Sequence, residues 1–136
     1  MTIASHCCNE DEMKAFDLSA FKQLKSIVIG DDCFGNVIDT RIIGLNQLES
    51  VVVGKNSFTK HKNGSVNNKN SKFYLMNCSM IRELKMGCFS FSSYCVCMIE
   101  NVPSLEVIEM GKLNAESFNF YYANFQLKSN DDMNVL

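Results

Sequence analysis

The chain has 136 residues, of which 46% are hydrophobic and 21% charged, and its formal net charge is −2. This length and composition are typical of one globular domain with a buried core. A charge so close to zero excludes a general attraction to nucleic acid or to an anionic membrane. No aromatic residue interleaves the lysines clustered within residues 60–72 to stack on bases, so we expect no specific nucleic-acid partner.

The location of the protein is predicted from its N-terminus and its cysteines. Residues 1–13 lack the basic start and the apolar run of a secretory signal, and no apolar stretch is long enough to span a bilayer. The seven cysteines are an odd number and are scattered, unlike the even framework of a disulfide-stapled secreted domain. We therefore expect reduced thiols, a cytoplasmic location and no membrane insertion.

Residues 1–15 are predicted to form a polar N-terminal segment or cap. His6, Cys7 and Cys8 stand beside three acidic residues there, so metal-capable side chains are close together. A structural zinc site takes its ligands from two separated short knuckles, and this segment has none. We therefore expect a frayed, solvated terminus without a metal.

A repeated pattern occupies residues 16–115. Each repeat contains an aliphatic residue, two other residues, an aliphatic residue, any residue, an aliphatic residue and a glycine. The four copies begin at Leu24, Leu48, Ile81 and Leu105, which are 24, 33 and 24 residues apart. A second apolar segment precedes each of these anchors, with apolar residues six and three positions before it. These residues are Leu18 and Phe21, Ile42 and Leu45, Leu75 and Cys78, and Ile99 and Val102.

Stacking of the repeats gives the fold class. One repeat cannot bury its apolar face alone, because alternating side chains leave one side of each short strand uncovered. Stacked copies can, with equivalent strands paired in parallel about 4.8 Å apart. We therefore predict a mainly β repeat solenoid of about four rungs with a partial fifth. Residues 116–136 are then an aromatic C-terminal segment that forms this partial repeat, with Phe125, Leu127, Met133 and Leu136 as its apolar residues, or a cap.

The glycine that ends each repeated strand is expected at a corner of the solenoid. A residue without a Cβ permits a positive φ or a close approach of neighbouring backbone there. In the first three repeats a phenylalanine follows four residues after the glycine, as Phe34, Phe58 and Phe91. The fourth repeat has Ala115 at that position and Phe118 three residues later.

The repeat resembles the leucine-rich repeat pattern L-x-x-L-x-L-x-x-N-x-L. Its first unit maps onto Leu24, Ile27, Ile29, Asp32 and Phe34, and its second onto Leu48, Val51, Val53, Asn56 and Phe58. The phenylalanines are similar to those in the repeats of BspA-like proteins. The resemblance implies a leucine-rich-repeat-like stack that acts as a noncatalytic protein–protein interaction module. Only Asn56 matches the family's asparagine, so we expect a partial asparagine ladder, and a parallel β-helix is the alternative architecture.

Two outward columns of the repeated strands are the first candidate binding surface. Strand alternation predicts that they consist of Ser26, Ser50, Glu83 and Val107, and of Val28, Val52, Lys85 and Glu109. Within them, Lys85 is expected to pair with Glu109 across strands. An ordinary solvent-facing sheet is the alternative interpretation of the same residues.

The second candidate surface is an insertion in the second repeat, within residues 59–71. Five lysines and no acidic residue lie between residues 55 and 72. Extra residues in a solenoid form a loop, and such loops often bind partners. We predict that Lys60, Lys62 and Lys69 contact an acidic protein surface or phosphate groups. A solvated, flexible loop is the alternative.

Catalysis is not predicted. Cys95 and Cys97 are expected on one face of a strand with Cys97 in an apolar column, and His61 lies in the insertion, so no nucleophile and base are placed together. We expect no cofactor and no metal. The alternative to an interaction module is a structural fragment of a longer repeat array that self-associates through its open ends.

Overall fold

The computed structural model describes residues 1–60, 68–111, 117–121 and 123–128, with only the backbone described at 68 and 69. Within these residues the chain forms short β-strands and no helix. The strands are β1 (Thr2–Ile3), β2 (Ala15–Asp17), β3 (Ser26–Ile29), β4 (Asp39–Ile43), β5 (Ser50–Val53), β6 (Asn68–Met76), β7 (Glu83–Met86), β8 (Tyr94–Glu100), β9 (Val107–Met110) and β10 (Asn124–Lys128).

The strands alternate between two five-stranded sheets. Sheet A has the order β1-β3-β5-β7-β9, and sheet B has the order β10-β8-β6-β4-β2. All neighbouring strands are parallel. Each coil of the chain therefore gives one strand to each sheet, and the two apolar segments of each repeat are these two strands. The prediction of a mainly β repeat solenoid is confirmed.

The first coil includes the N-terminal residues, so the expectation of a frayed terminus is wrong. The backbone N–H of Val28 donates to the carbonyl of Met1, and that of Gly30 donates to the carbonyl of Ile3, both at 2.9 Å. The N–H of His6 donates to Asp31 O at 2.8 Å. Residues 1–6 are held because the edge of β3 offers them the same ladder that later strands use.

The glycine column confirms that the corners need close backbone approach. A Cβ placed on Gly54 would lie 2.5 Å from the carbonyl carbon of Gly30, and one on Gly87 would lie 2.9 Å from that of Gly54. These three glycines do not have positive φ angles, whereas Gly111 has a φ of 61°. Close approach, rather than a left-handed conformation, is therefore what these three positions require.

A stack of phenylalanine rings fills the centre of the solenoid. Ring centroids are 4.9 Å apart for Phe34 and Phe58, 4.5 Å for Phe58 and Phe91, and 5.0 Å for Phe91 and Phe120. The interplanar angles of these pairs are 17°, 9° and 8°. The fourth ring is that of Phe120, at a position that the sequence pattern did not mark; Ala115 lies outside the described residues.

A column of side-chain hydrogen bonds ties neighbouring coils together beside the glycines. Ser57 Oγ donates to Gly30 O at 2.8 Å, and Ser90 Oγ donates to Gly54 O. Asn119 continues the column, with its Nδ2 donating to Gly87 O at 2.7 Å. Ser57 and Ser90 each follow the predicted asparagine position directly, whereas Asn119 comes later in its repeat. At the opposite corner, Asn101 Nδ2 donates to Asn77 Oδ1 at 3.0 Å.

The inward columns predicted from the second apolar segments are buried, with one exception. Leu45, Cys78 and Val102 are buried, but Phe21 in the equivalent position is 53% exposed. Phe21 follows β2, the edge strand of sheet B, so no preceding described coil covers its ring. The expectation that Phe21 is an inward residue is therefore wrong.

We expect Gly54→Ala to lower the free energy of unfolding by about 1–3 kcal/mol, because the added methyl group would overlap the Gly30 backbone. Gly35→Ala is the matched control, since a Cβ there would lie 3.2 Å from its nearest neighbour, Asn9 Oδ1. Urea unfolding followed by circular dichroism measures both changes. Equal losses for the two variants would contradict the role of close approach in the column.

Candidate functional site

The register of sheet A places the two predicted outward columns side by side. Ser26, Ser50, Glu83 and Val107 are aligned on successive strands, as are Val28, Val52, Lys85 and Glu109. The alternating residues on the same strands, such as Ile27, Val51 and Leu84, are buried. The eight residues therefore share the outer face of sheet A, as the sequence pattern indicated.

Polar contacts within this face satisfy its central charges. Ser50 Oγ donates to Glu83 Oε1 at 2.8 Å, and Lys85 Nζ lies 3.4 Å from Glu83 Oε2. Lys85 and Glu109 are aligned across β7 and β9 as predicted, but Lys85 pairs with Glu83, two residues away on the same face of β7. The hydrogen bond from Ser50, followed by that from Lys85, lowers the pKa of Glu83.

A ladder of alternating charge runs beside these columns. Lys25, Glu49, Arg82 and Glu106 follow one another on successive coils, joined by backbone hydrogen bonds of 2.8 Å from each residue to the carbonyl of the one before. Arg82 Nη2 lies 3.4 Å from Glu106 Oε1, with both side chains exposed. Such exposed pairs contribute little stability, but like charges in register would repel, so the alternation favours this stacking.

The lysine insertion is only partly described. Lys60 is exposed, and Lys69 lies in β6 without a described side chain. Lys62 lies outside the described residues. The prediction that these three lysines contact a partner stays a prediction.

The outer face of sheet B carries an apolar patch that the sequence analysis missed. It consists of Ile43, Tyr74, Met76, Val96 and Met98, all half-buried, and we call it the Tyr74 patch. Tyr74 is aligned with Met98, and Ile43 with Met76, on neighbouring strands. The five side chains therefore form a contiguous surface over β4, β6 and β8.

A charged group lies at the edge of the Tyr74 patch. The guanidinium carbon of Arg41 lies 5.5 Å from the centroid of the Tyr74 ring. Arg41 also binds Asp39 through two hydrogen bonds, of 2.9 and 3.2 Å. These contacts fix the Tyr74 ring against a neutralised ion pair, so the patch has an apolar centre and a polar rim.

The last described strand leaves apolar side chains uncovered at one end of the solenoid. Phe125 is aligned with Cys97, and Leu127 with Ile99. Cys97 and Ile99 are fully buried, whereas Phe125 is 41% and Leu127 61% exposed. The register confirms that Phe125 and Leu127 begin a fifth rung; Met133 and Leu136, the rest of that predicted unit, lie outside the described residues.

The described residues contain no group of three metal-ligating side chains, and none of their segments is a helix able to cross a bilayer. His6 Nδ1 instead lies 3.5 Å from Asp32 Oδ2. Burial raises the pKa of the Cys97 thiol to about 12, so this cysteine stays protonated at neutral pH. Cys95 is only half-buried, and its Sγ lies 3.2 Å from Ser71 O.

No protein-family model, curated protein or solved structure matches the chain. Its function is therefore inferred from three of its own surfaces. These are the outer face of sheet A, the Tyr74 patch on sheet B, and the end of the solenoid at Phe125 and Leu127.

We expect Ser50→Ala to raise the pKa of Glu83 toward its ordinary value, because the substitution removes the strongest hydrogen bond to the charged carboxylate. Carbon-detected NMR titration of the Glu83 carboxyl group measures the change. Ser26→Ala is the control, since Ser26 lies on β3 and Glu83 on β7, with β5 between them. An unchanged Glu83 pKa in Ser50→Ala would mean that Lys85 alone holds the carboxylate charged.

Proposed function

We propose that the chain is a noncatalytic protein-interaction module of leucine-rich-repeat type that binds its partner through the Tyr74 patch. The contiguous outward placement of Ile43, Tyr74, Met76, Val96 and Met98 carries the proposal. Aromatic side chains and methionine are enriched in the centres of protein interfaces, and methionine adapts its shape to a partner. The leucine-rich-repeat assignment is supported by the resemblance of the repeats.

The outer face of sheet A is the second surface for the same function. Its charged residues Glu83 and Lys85 already bind each other, so a partner would gain little from them. Val28 and Val107 are 40% and 42% exposed, but they lie in different columns with β5 and β7 between their strands, and the only valine aligned beside Val28 is Val52. Scattered valines of this kind are ordinary on a protein surface, and this favours the contiguous patch on sheet B.

The size of the sheet B face indicates a short peptide segment as the partner. Five strands about 4.8 Å apart, each about 16 Å long, present a face of about 400 Å². A stable interface between two globular proteins buries about 800 Å² on each side. We therefore infer an apolar segment of another protein, laid over the Tyr74 patch, rather than a second copy of the chain.

We expect peptides selected on the full chain from a random library displayed on phage to bind the Tyr74 patch. Met98→Lys should weaken their binding by about tenfold or more, because it places a charge at the centre of an apolar contact. Val52→Lys on sheet A is the matched control and should change the affinity by less than about twofold. Isothermal titration calorimetry of each selected peptide measures the dissociation constants.

The opposite result, with loss only in Val52→Lys, would move the binding site to sheet A. If the selection yielded no peptide with measurable affinity, the proposed function itself would be contradicted. A triple alanine variant of Lys60, Lys62 and Lys69, measured with the same peptides, tests the insertion as a contributor to binding.

Self-association through the end of the solenoid is a second candidate function. The exposure of Phe125 and Leu127, which lie in columns that are buried elsewhere, favours it. Strand edges and apolar columns at the end of a solenoid pair readily with another chain. In this function the chain is a structural unit of a longer assembly.

We expect the mass of the reduced protein to increase with concentration if this end associates, as measured by light scattering. Leu127→Lys should abolish the increase, because a charge there prevents burial of the column. Val28→Lys is the control, because it places the same charge on a side face of the solenoid. A constant monomer mass for the unsubstituted chain would exclude self-association and leave the peptide-binding function intact.

A further inference from the structure

Cys7 and Cys33 occupy the same position in the first two coils. The backbone N–H of Phe34 donates to Cys7 O at 3.3 Å, and that of Phe58 donates to Cys33 O at 2.8 Å. The next coil repeats the bond, from Phe91 N to Ser57 O at 3.1 Å. The two cysteines are therefore in register, one directly above the other, although they are 26 residues apart in the sequence.

The thiol of Cys33 points toward the first coil. Its Sγ lies 3.1 Å from Ala4 O, just as Ser57 Oγ lies 2.8 Å from Gly30 O one coil later. In-register residues of parallel neighbours have Cα atoms about 4.8 Å apart, which is inside the range of about 4.4–6.8 Å that a disulfide spans. The backbone therefore already has the separation that a bond between Cys7 and Cys33 needs.

The other five cysteines have no cysteine in register with them. Cys8 takes the place of the phenylalanines, in the column of Phe34. The remaining four have other residue types as their neighbours in register. Cys78 lies between Leu45 and Val102, Cys88 beside Lys55, Cys95 beside Ser71, and Cys97 between Phe73 and Phe125. Since all seven cysteines lie within the described ranges, Cys7 and Cys33 are the single aligned pair.

We propose that Cys7 and Cys33 form a disulfide by thiol–disulfide exchange with a small-molecule disulfide of the glutathione type. The Cys7 thiolate attacks one sulfur of the small disulfide, forms a mixed disulfide and releases one thiol. The Cys33 thiolate then attacks the Cys7 sulfur and releases the second thiol. The two protein thiols lose two protons and two electrons, and the small disulfide is reduced to two thiols.

The order of these steps follows from exposure. Cys7 is half-buried and meets the oxidant first, whereas Cys33 is fully buried and reacts only with a sulfur delivered beside it. Cys8 is the nearest competitor, and like Cys7 it is half-buried and packs against the core. Burial, together with the neighbouring Cys7 thiol, raises the pKa of Cys8, so Cys8 holds less of the reactive thiolate at neutral pH.

The bond would fasten the first coil to the second. Residues 1–6 are attached to the next coil along a short edge, since β1 has two residues. Backbone hydrogen bonds hold them there, together with one from Asp31 N–H to Ser5 Oγ at 2.9 Å. A disulfide in the adjoining corner closes a long loop and removes chain entropy from the unfolded state. The chain would then carry an end coil whose attachment depends on the redox state of its surroundings.

The test is oxidation of the reduced full-length protein with oxidised glutathione, followed by intact mass and peptide mapping. Trypsin leaves Cys7 and Cys8 on one peptide and Cys33 on another, so the variants Cys7→Ser and Cys8→Ser decide which cysteine is linked. We expect a linked pair of peptides and a loss of two hydrogens in the unsubstituted chain and in Cys8→Ser, but not in Cys7→Ser. The thermal midpoint of the oxidised chain should rise by about 5–10 °C over the reduced chain.

Three results would overturn the proposal. They are a link that persists in Cys7→Ser, a bond between Cys7 and Cys8 within one peptide, and a stable mixed disulfide with glutathione at Cys7. Both substituted residues lie at partly exposed positions, and circular dichroism of the reduced variants checks that each retains the fold. Cys78→Ser is a further control, because it should leave the yield of the linked peptides unchanged.

Discussion

The in-register stacking of parallel coils about 4.8 Å apart is the constraint on which this structure depends. At that distance each position of a coil lies against the same position of the next coil. A column therefore accepts only side chains that can pack directly against a similar side chain about 4.8 Å away. Flat rings meet the requirement in the centre, where Phe34, Phe58, Phe91 and Phe120 stack nearly parallel. Glycine meets it at the corner, where Gly30, Gly54 and Gly87 leave no room for a Cβ.

The phenylalanine stack also has a backbone cost. Phe34, Phe58, Phe91 and Phe120 all have positive φ angles, between 51° and 59°, a region that bulky residues rarely adopt. The penalty is about 1–2 kcal/mol for each residue. Full burial of the ring contributes about 1.5–3 kcal/mol, and aromatic stacking adds about 0.5–1.5 kcal/mol, so the arrangement is favourable overall.

The same constraint explains what the sequence could and could not predict. Residues that repeat because they fill a column, such as Ile27, Val51 and Gly54, produce the periodic pattern that predicts the fold from the sequence. Phe120 was missed because its spacing from the preceding glycine differs from that of the other rings. Ser57 and Ser90 were missed because a hydroxyl performs the bonding expected of asparagine one residue earlier. Phe21 fits the pattern but lies at the end of the stack. The pattern does not show which coil lacks a neighbour to cover its side chains.

The surfaces relevant to function are the positions where the repeat imposes no residue type. On the outer face of sheet B, Arg41, Tyr74 and Met98 are aligned on successive strands. Their side chains are basic, aromatic and thioether, so they form no repeated residue pattern in the sequence. In the first coil, Cys7 lies in the column of Ser57 and Cys8 in the column of Phe34. The residues that differ from coil to coil therefore lie on the outer face and at the ends of the solenoid, because packing restricts the residue types in the interior columns.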